Sequence, residues 1–222
     1  MNVIKGLVTK DILQLKSYKR TLIIFIVIFL LSSISGEGEV SSALTVMLTL
    51  GFGMFSMASF SYDELNKADR YILTLPVTKK DIVLSKYILV IASTLIGSIT
   101  GILLGGILAF ALNNQVLNVE DLLSVGLGGI LGVGLIESIQ IPCVYKWGAE
   151  KGRIQMMIVT ALIALVVGGI MYIAEKNNIQ FPLGDTTNEI YSFLPLIFIV
   201  VVILMYYISY RISYKIYDKK EQ

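Results

Sequence analysis

Residues 87–112 read YILVIASTLIGSITGILLGGILAFAL, 26 residues without one charged side chain. As an α-helix this stretch extends about 39 Å, longer than the ~30 Å hydrocarbon core of a bilayer. It is an unbroken apolar run, not the alternating ten-residue pattern of a β-barrel strand, so a membrane-spanning helix is expected. Five further runs resemble it: Thr21–Ile34, Val40–Phe60, Leu122–Tyr145, Ile154–Ala174 and Ile190–Tyr210. The first has only 14 residues and must recruit Tyr18–Arg20 or thin the bilayer.

Composition agrees. Of 222 residues, 55% are apolar and 15% charged, and the mean hydropathy is +0.78. Soluble domains run nearer about 45–50% apolar and about 25% charged. Such an excess has no place in one soluble core, and it also excludes disorder. There is no histidine and a single cysteine, Cys143. That excludes histidine general bases, histidine metal sites, Cys–His nucleophiles and an intrachain disulfide. No GxxxxGK[ST] phosphate loop is present either, so ATP hydrolysis by that route is not expected of this chain. The sequence reads as an all-α integral membrane protein, a six-transmembrane-helix bundle forming a single domain over 1–222.

The basic residues orient it. Seventeen of the 18 lie in the N-terminal arm, in the loops between spans two and three and between spans four and five, or in the tail. The exception is Lys176. The three opposite loops carry Glu37, Glu39, Glu120, Asp121, Glu175, Asp185 and Glu189. By the positive-inside rule both termini are cytoplasmic, which requires an even number of spans. The first apolar run follows a 20-residue charged arm without a small-residue cleavage site, so a retained anchor is expected. With the basic residues serving as topology signals, the net charge of +2 is no sign of nucleic acid.

Within the spans, Gly97, Gly101 and Gly105 recur every fourth residue, as do Gly128 and Gly132. Such stripes let helices approach closely. They fit ordinary packing or a seam that slides. Glu137 is a charge well inside span four, about 13 Å along the helix from Lys146. An ionised carboxylate there costs at least ~2.5–3.5 kcal/mol, so it should face the bundle interior, a cavity or a partner. A buried hydrogen-bonding group, a lining of a polar translocation path shared with Gln140, and a proton carrier all remain open. Pro142 should kink or end that helix. Tyr207, Tyr210, Tyr214 and Tyr217 read as an aromatic belt, or as a docking face.

Two segments between the spans carry more. In the arm, Ile4, Leu7, Val8, Leu15 and Tyr18 form an apolar stripe flanked by Lys5, Lys16 and Lys19, as for a helix in the headgroup layer. Asp11 falls inside that stripe and hints at a polar contact. In the loop 61–86, Leu65, Ala68, Ile72 and Leu75 are expected on one face of a short amphipathic helix, stopped by Pro76. Thr78 with Asp81 then makes a capping box that starts the helix entering span three. Such an apolar face could lie on lipid or dock in a partner's groove.

This loop, with Asp63-Glu64-x-x-Lys67, Tyr71, Leu75-Pro76-Val77-Thr78-Lys79 and Ser85-Lys86-Tyr87, resembles the small ABC-2 transporter permeases. A second block, Ile141-Pro142 through Lys146-Trp147-Gly148-Ala149-Glu150-Lys151-Gly152-Arg153, resembles that family's turn between spans four and five. The resemblance is closest to membrane subunits of exporters for phenol-soluble-modulin-type peptides. It implies a bundle of ABC-2 (type V) exporter type, with residues 1–20 as an amphipathic elbow helix. Residues 61–86 would be the coupling-helix loop and 146–153 a second coupling turn. Asp63, Glu64, Leu65, Lys67, Ala68, Tyr71, Ile72, Leu75, Pro76, Gly148, Glu150, Lys151 and Arg153 would then couple the chain to an ATPase.

The resemblance also implies partners: two copies of a separate cytosolic ATPase that bind ATP and Mg, a second permease subunit, lipid, and an amphipathic or hydrophobic peptide cargo. The place would be a bacterial plasma membrane. The short loop between spans five and six and Trp147 depart from that pattern. Self-immunity to membrane-active peptides and lipid transport fit the same apolar pathway. The membrane subunit of a vitamin importer is the alternative of another class, though no cluster of polar or aromatic outer-face residues favours it. A membrane-embedded enzyme would need paired acids, Ser–His or metal ligands that are missing here.

Overall fold

The computed structural model describes residues 2–16, 19–34, 40–72, 74–113, 119–176 and 194–219. Tyr18, Glu37, Glu39, Asp185, Glu189 and Ile190 lie outside the described residues. Among the described residues the chain is almost entirely helical, with no strand. The helices are α1 Asn2–Leu15, α2 Lys19–Ile34, α3 Val40–Ser56, α4 Ala58–Leu65, α5 Ala68–Ile72, α6 Lys79–Asn113, α7 Val119–Trp147, α8 Ala149–Lys176 and α9 Leu194–Lys219.

Among the described residues, four stretches are long and apolar enough to cross a membrane: Ser42–Leu65, Lys79–Leu108, Leu122–Trp147 and Pro195–Lys219. The α2 helix has 16 residues and α8 has 28. Helical backbone continues through Met57, so the second span does not stop at Phe60 but carries Ser61, Asp63 and Glu64 on its last turns. Of the two outcomes expected at Pro142, a kink or an end, the helix does not end there but continues to Trp147. The missing N–H of a proline is a modest loss where neighbouring helices enclose the site.

Helices α3 and α6 pack most extensively, with α7 laid across both and α9 along α7. The α3–α6 contact is set by two of the expected glycines. A Cβ at Gly97 would come within 2.7 Å of Phe52, and one at Gly101 within 2.8 Å of the Thr45 Cα. Gly105 is also buried. The second stripe is corrected. Among the described residues, Gly128 and Gly132 have no neighbouring atom within 4 Å of where a Cβ would stand. The glycines of α7 that meet neighbours are Gly126 against Ile102, Gly129 against Thr49 and Gly134 against Tyr206 and Val202. A four-residue spacing finds a helix face but not which face turns inward.

The buried apolar cluster does not fill the middle of the bundle. Leu7, Met57, Phe60, Ile72, Val83, Tyr87, Ile141, Tyr145, Ala149 and Tyr217 gather where α1, α4, α5, the start of α6, the α7–α8 turn and the end of α9 converge. Edge-to-face rings stitch this end, with centroids 5.6 Å apart for both Phe60–Tyr145 and Tyr145–Tyr217. Tyr210 lies 5.7 Å from Tyr87, so half of the expected aromatic belt is packing, whereas Tyr207 is exposed. Gly101→Ala should therefore destabilise the detergent-solubilised chain by about 1–3 kcal/mol. Gly128→Ala should be neutral or stabilise it by up to ~1 kcal/mol. Equal losses in thermal unfolding for the two variants would contradict this packing.

Candidate functional site

At the end where the core gathers, two lysines and two aspartates meet inside the protein. Lys86, on the first turns of α6, is 5% exposed, and Asp11 of α1 is 1% exposed. The Lys86 ammonium donates to Asp11 Oδ1 at 3.0 Å and to Ser59 Oγ at 2.6 Å, and pairs with Asp63 Oδ2 at 2.5 Å. Its three N–H groups are thus all engaged. Lys10 closes the ring, 2.8 Å from Asp63 Oδ1 and 3.1 Å from Asp11 Oδ1. Gln14 adds a hydrogen bond to Asp63 at 3.2 Å. The Phe60 ring lies 5.1 Å from the Lys86 nitrogen. The four formal charges cancel, which is what permits their burial.

Burial works against the charged form of Lys10, but its hydrogen bond to Asp63 and the charges of Asp11 and Asp63 outweigh it. Its pKa is held above the ordinary 10.5. A raised lysine pKa gives stability that is complete at neutral pH and lost as pH climbs beyond about 10.5.

Asp63 and Glu64 are neighbours in sequence with different tasks. Asp63 turns into the ionic ring, while Glu64 reaches the α7–α8 turn. Its Oε2 accepts from the Ala149 N–H at 2.5 Å, capping the first turn of α8. Gly148 makes this possible, with φ at +88° and no Cβ; a Cβ there would stand 2.6 Å from Glu64 Oε1. A cavity of about 80 Å³ separates the ionic ring from this cap, lined by Asp63, Glu64, Lys86, Tyr145, Gly148 and Tyr217 among others. The structure thus joins the loop 61–86 directly to the turn 146–153.

Beyond Leu65 the single amphipathic helix expected from the sequence is not found. Asn66 caps α4, and Lys67 takes a left-handed conformation with φ at 50°, so α5 starts in a new direction. As a result Ile72 is buried in the core with Ala68 against it, while Leu65 is 79% and Tyr71 74% exposed. Leu75 and Pro76 are exposed as well, on a tight turn where the Val77 N–H donates to the Leu75 carbonyl at 2.7 Å. The capping box then forms as expected. Thr78 N–H donates to Asp81 Oδ2 at 3.2 Å and Asp81 N–H to Thr78 Oγ1 at 3.3 Å. Lys79 pairs with Asp218 at 3.2 Å, bringing the end of α9 alongside.

The outcome is an exposed corner of Leu65, Lys67, Tyr71, Leu75 and Pro76, held from beneath by Asp63, Ile72 and Lys86. Glu150 and Lys151 are exposed on the first turn of α8, as is Trp147 at the turn, with Lys146 4.5 Å from its ring. Arg153 lies on the next turn of α8. Glu137 is elsewhere, in the middle of α7 and 2% exposed, with Gln140 buried beside it. Thr94 of α6 donates to it at 2.8 Å, and so does the Tyr206 hydroxyl of α9, also at 2.8 Å. In this arrangement neither Glu137 nor Gln140 lines an open path. Asp11 was marked by its misfit in an apolar stripe. Lys86, Thr94 and Tyr206 as partners carry no comparable signal in the sequence.

These features define a polytopic helical membrane protein with a fastened, outward-facing corner at its charge-rich end. A family model described as "ABC-2 family transporter protein" matches residues 6–218, and the chain belongs to that family. No curated protein and no solved structure matches it.

Breaking the ionic ring on one side leaves two aspartates against a single lysine. Lys86→Met should cost about 3–5 kcal/mol. Adding Asp11→Asn should recover part of the loss, since Lys10–Asp63 then remains as a matched pair. A double variant as unstable as the sum of the two single variants in a thermal-unfolding cycle would contradict this coupling.

Proposed function

We propose that this chain is the permease subunit of an ATP-driven exporter that moves amphipathic or hydrophobic, phenol-soluble-modulin-like peptides out of a bacterial cell. Membership of the ABC-2 family supports the transporter class. The observation that carries the reading further is the corner Leu65–Tyr71–Leu75–Pro76: apolar, exposed, and attached to the bundle by a buried ionic ring. Large apolar side chains at the water-facing end of a membrane protein invite a protein partner, and Lys67 and the Glu150–Lys151 turn give such a contact a polar rim.

On this reading the corner of each permease subunit seats one of two copies of a separate ATPase that binds ATP and Mg and performs the hydrolysis; this chain is not an enzyme. Six spans are taken, with α2 and α8 joining the four longer ones, and both termini lie in the cytoplasm. The α1 helix serves as the elbow at the membrane surface. A second permease subunit completes the pathway. When the ATPase closes on ATP it pushes the corner, and Lys86 passes that movement to α6, whose Gly97–Gly101 seam carries it along α3. With basic residues only near the ends of the spans, the pathway suits apolar or amphipathic cargo better than strongly anionic cargo.

The full-length chain isolated from native membranes should bring a Walker-motif ATPase with it. Leu65→Asp combined with Tyr71→Asp should lower that capture roughly tenfold or more, about 1.4 kcal/mol, with the melting of the permease unchanged. Undiminished capture by the double variant, or no ATPase with the wild type, contradicts the proposal. Stimulation of the complex by lipid but not by amphipathic peptide would overturn the cargo assignment alone.

A further inference from the structure

Glu137 is buried among α3, α6, α7 and α9, and among the described residues no cation meets its carboxyl group. Four oxygen–oxygen contacts are short. Thr94 Oγ1 lies 2.8 Å from Oε1 and 2.9 Å from Oε2 of Glu137, and 3.0 Å from the Val90 carbonyl. Tyr206 O lies 2.8 Å from Oε2. Thr94 and Tyr206 supply two hydrogens between them.

If Glu137 is ionised, Thr94 must turn its hydrogen to the carboxylate and leave the Val90 carbonyl, and a buried negative charge rests on two neutral hydroxyls. If Glu137 carries a proton, three of the four contacts hold a hydrogen and no charge is buried. Thr94 donates to Val90, Oε1–H donates to Thr94 Oγ1, and Tyr206 donates to Oε2. The other groups facing the site do not supply a counter-charge. From α3 there is Gly53, whose missing Cβ leaves room for Oε1 within 2.5 Å, and Ser56, which donates to the Gly53 carbonyl at 2.6 Å. From α6, Tyr87 is reached only through the Tyr206 ring at 6.3 Å, and its hydroxyl is held by Ser209 and Ser213. On α7 itself Ser138 donates to the Leu135 carbonyl, and Gln140 is uncharged. Among the described residues the lysines with ion pairs are Lys10, Lys79 and Lys86, none of them paired with Glu137. The contrast with Asp11 and Asp63, each matched to a lysine, is direct.

We propose that Glu137 is a proton-binding site at the centre of the bundle: it holds a proton while α6, α7 and α9 are packed and gives it to water when they part. No bond other than O–H is broken, and the proton passes to solvent in the opened path. Because the packed state holds one proton more than the open one, raising the pH favours opening. This rests on the geometry of α6, α7 and α9 and does not require the peptide-export reading.

The chain is well suited to the test. It has no histidine, so no imidazole titrates in the same range. The full-length protein in phosphatidylglycerol nanodiscs at pH 7.5 should show the infrared C=O band of a protonated carboxylic acid, and Glu137→Gln should lack it. A carboxylic acid in contact with water is ionised at that pH and gives no such band. In the same nanodiscs the wild-type melting midpoint should fall between pH 6 and pH 9, while that of Glu137→Gln stays level. A wild type without the band overturns the proposal whether or not the variant folds. So does a band that survives in Glu137→Gln, or an equal pH response in both proteins.

Discussion

The ammonium of Lys86 can be buried only because two carboxylates come to it from different helices. Asp11 arrives on α1 and Asp63 on α4, and the hydroxyl of Ser59 fills the last donor position. A charge removed from water demands compensation of several kcal/mol, so the three helices are fixed together by necessity rather than by shape alone. The apolar cluster around Phe60, Val83 and Tyr145 packs against this fixed point. The turn that starts α8 is tied to the same place through Glu64. Everything exposed at the corner of α4 and α5 inherits its position from Lys86.

The two polar centres of the bundle differ in kind. At the charge-rich end, cations and anions are matched and oriented, an arrangement that loses much if one partner moves. At the middle, Glu137 meets hydroxyls and the backbone of Gly53, with no cation among its described neighbours. Such a node holds helices together with weaker, more interchangeable bonds. The charged end therefore suits transmission as a rigid piece, and the centre suits separation. Gly97 and Gly101 allow α3 and α6 to travel together, since their backbones touch with no side chain between them.

Much of the architecture was legible in the chain because lipid imposes length and polarity so strictly. The third span, its capping box at Thr78 and Asp81, and the return of the basic segments to one end follow from hydropathy and lysine placement. The failures are also physical. Leu65 and Ile72 fit one helical stripe on paper, but Asn66 and Lys67 end the helix between them, and a left-handed lysine has no reliable sequence signature. Asp11 was visibly out of place; its partner lies 75 residues away, and only the fold joins them. The Glu64 cap on α8 spans 85 residues and needs Gly148 in a positive-φ conformation. Gly128 and Gly132 show the opposite error, a strong local pattern that meets no neighbour among the described residues.

The central claim is that the exposed corner of α4 and α5 receives a nucleotide-hydrolysing partner. A photo-crosslinking amino acid placed at Tyr71 tests this in intact cells, with one at Tyr172, exposed near the far end of α8, as its control. The account predicts one dominant adduct from Tyr71, a protein bearing phosphate-loop motifs, and none from Tyr172. No such adduct at Tyr71, or the same adduct from both positions, would contradict it.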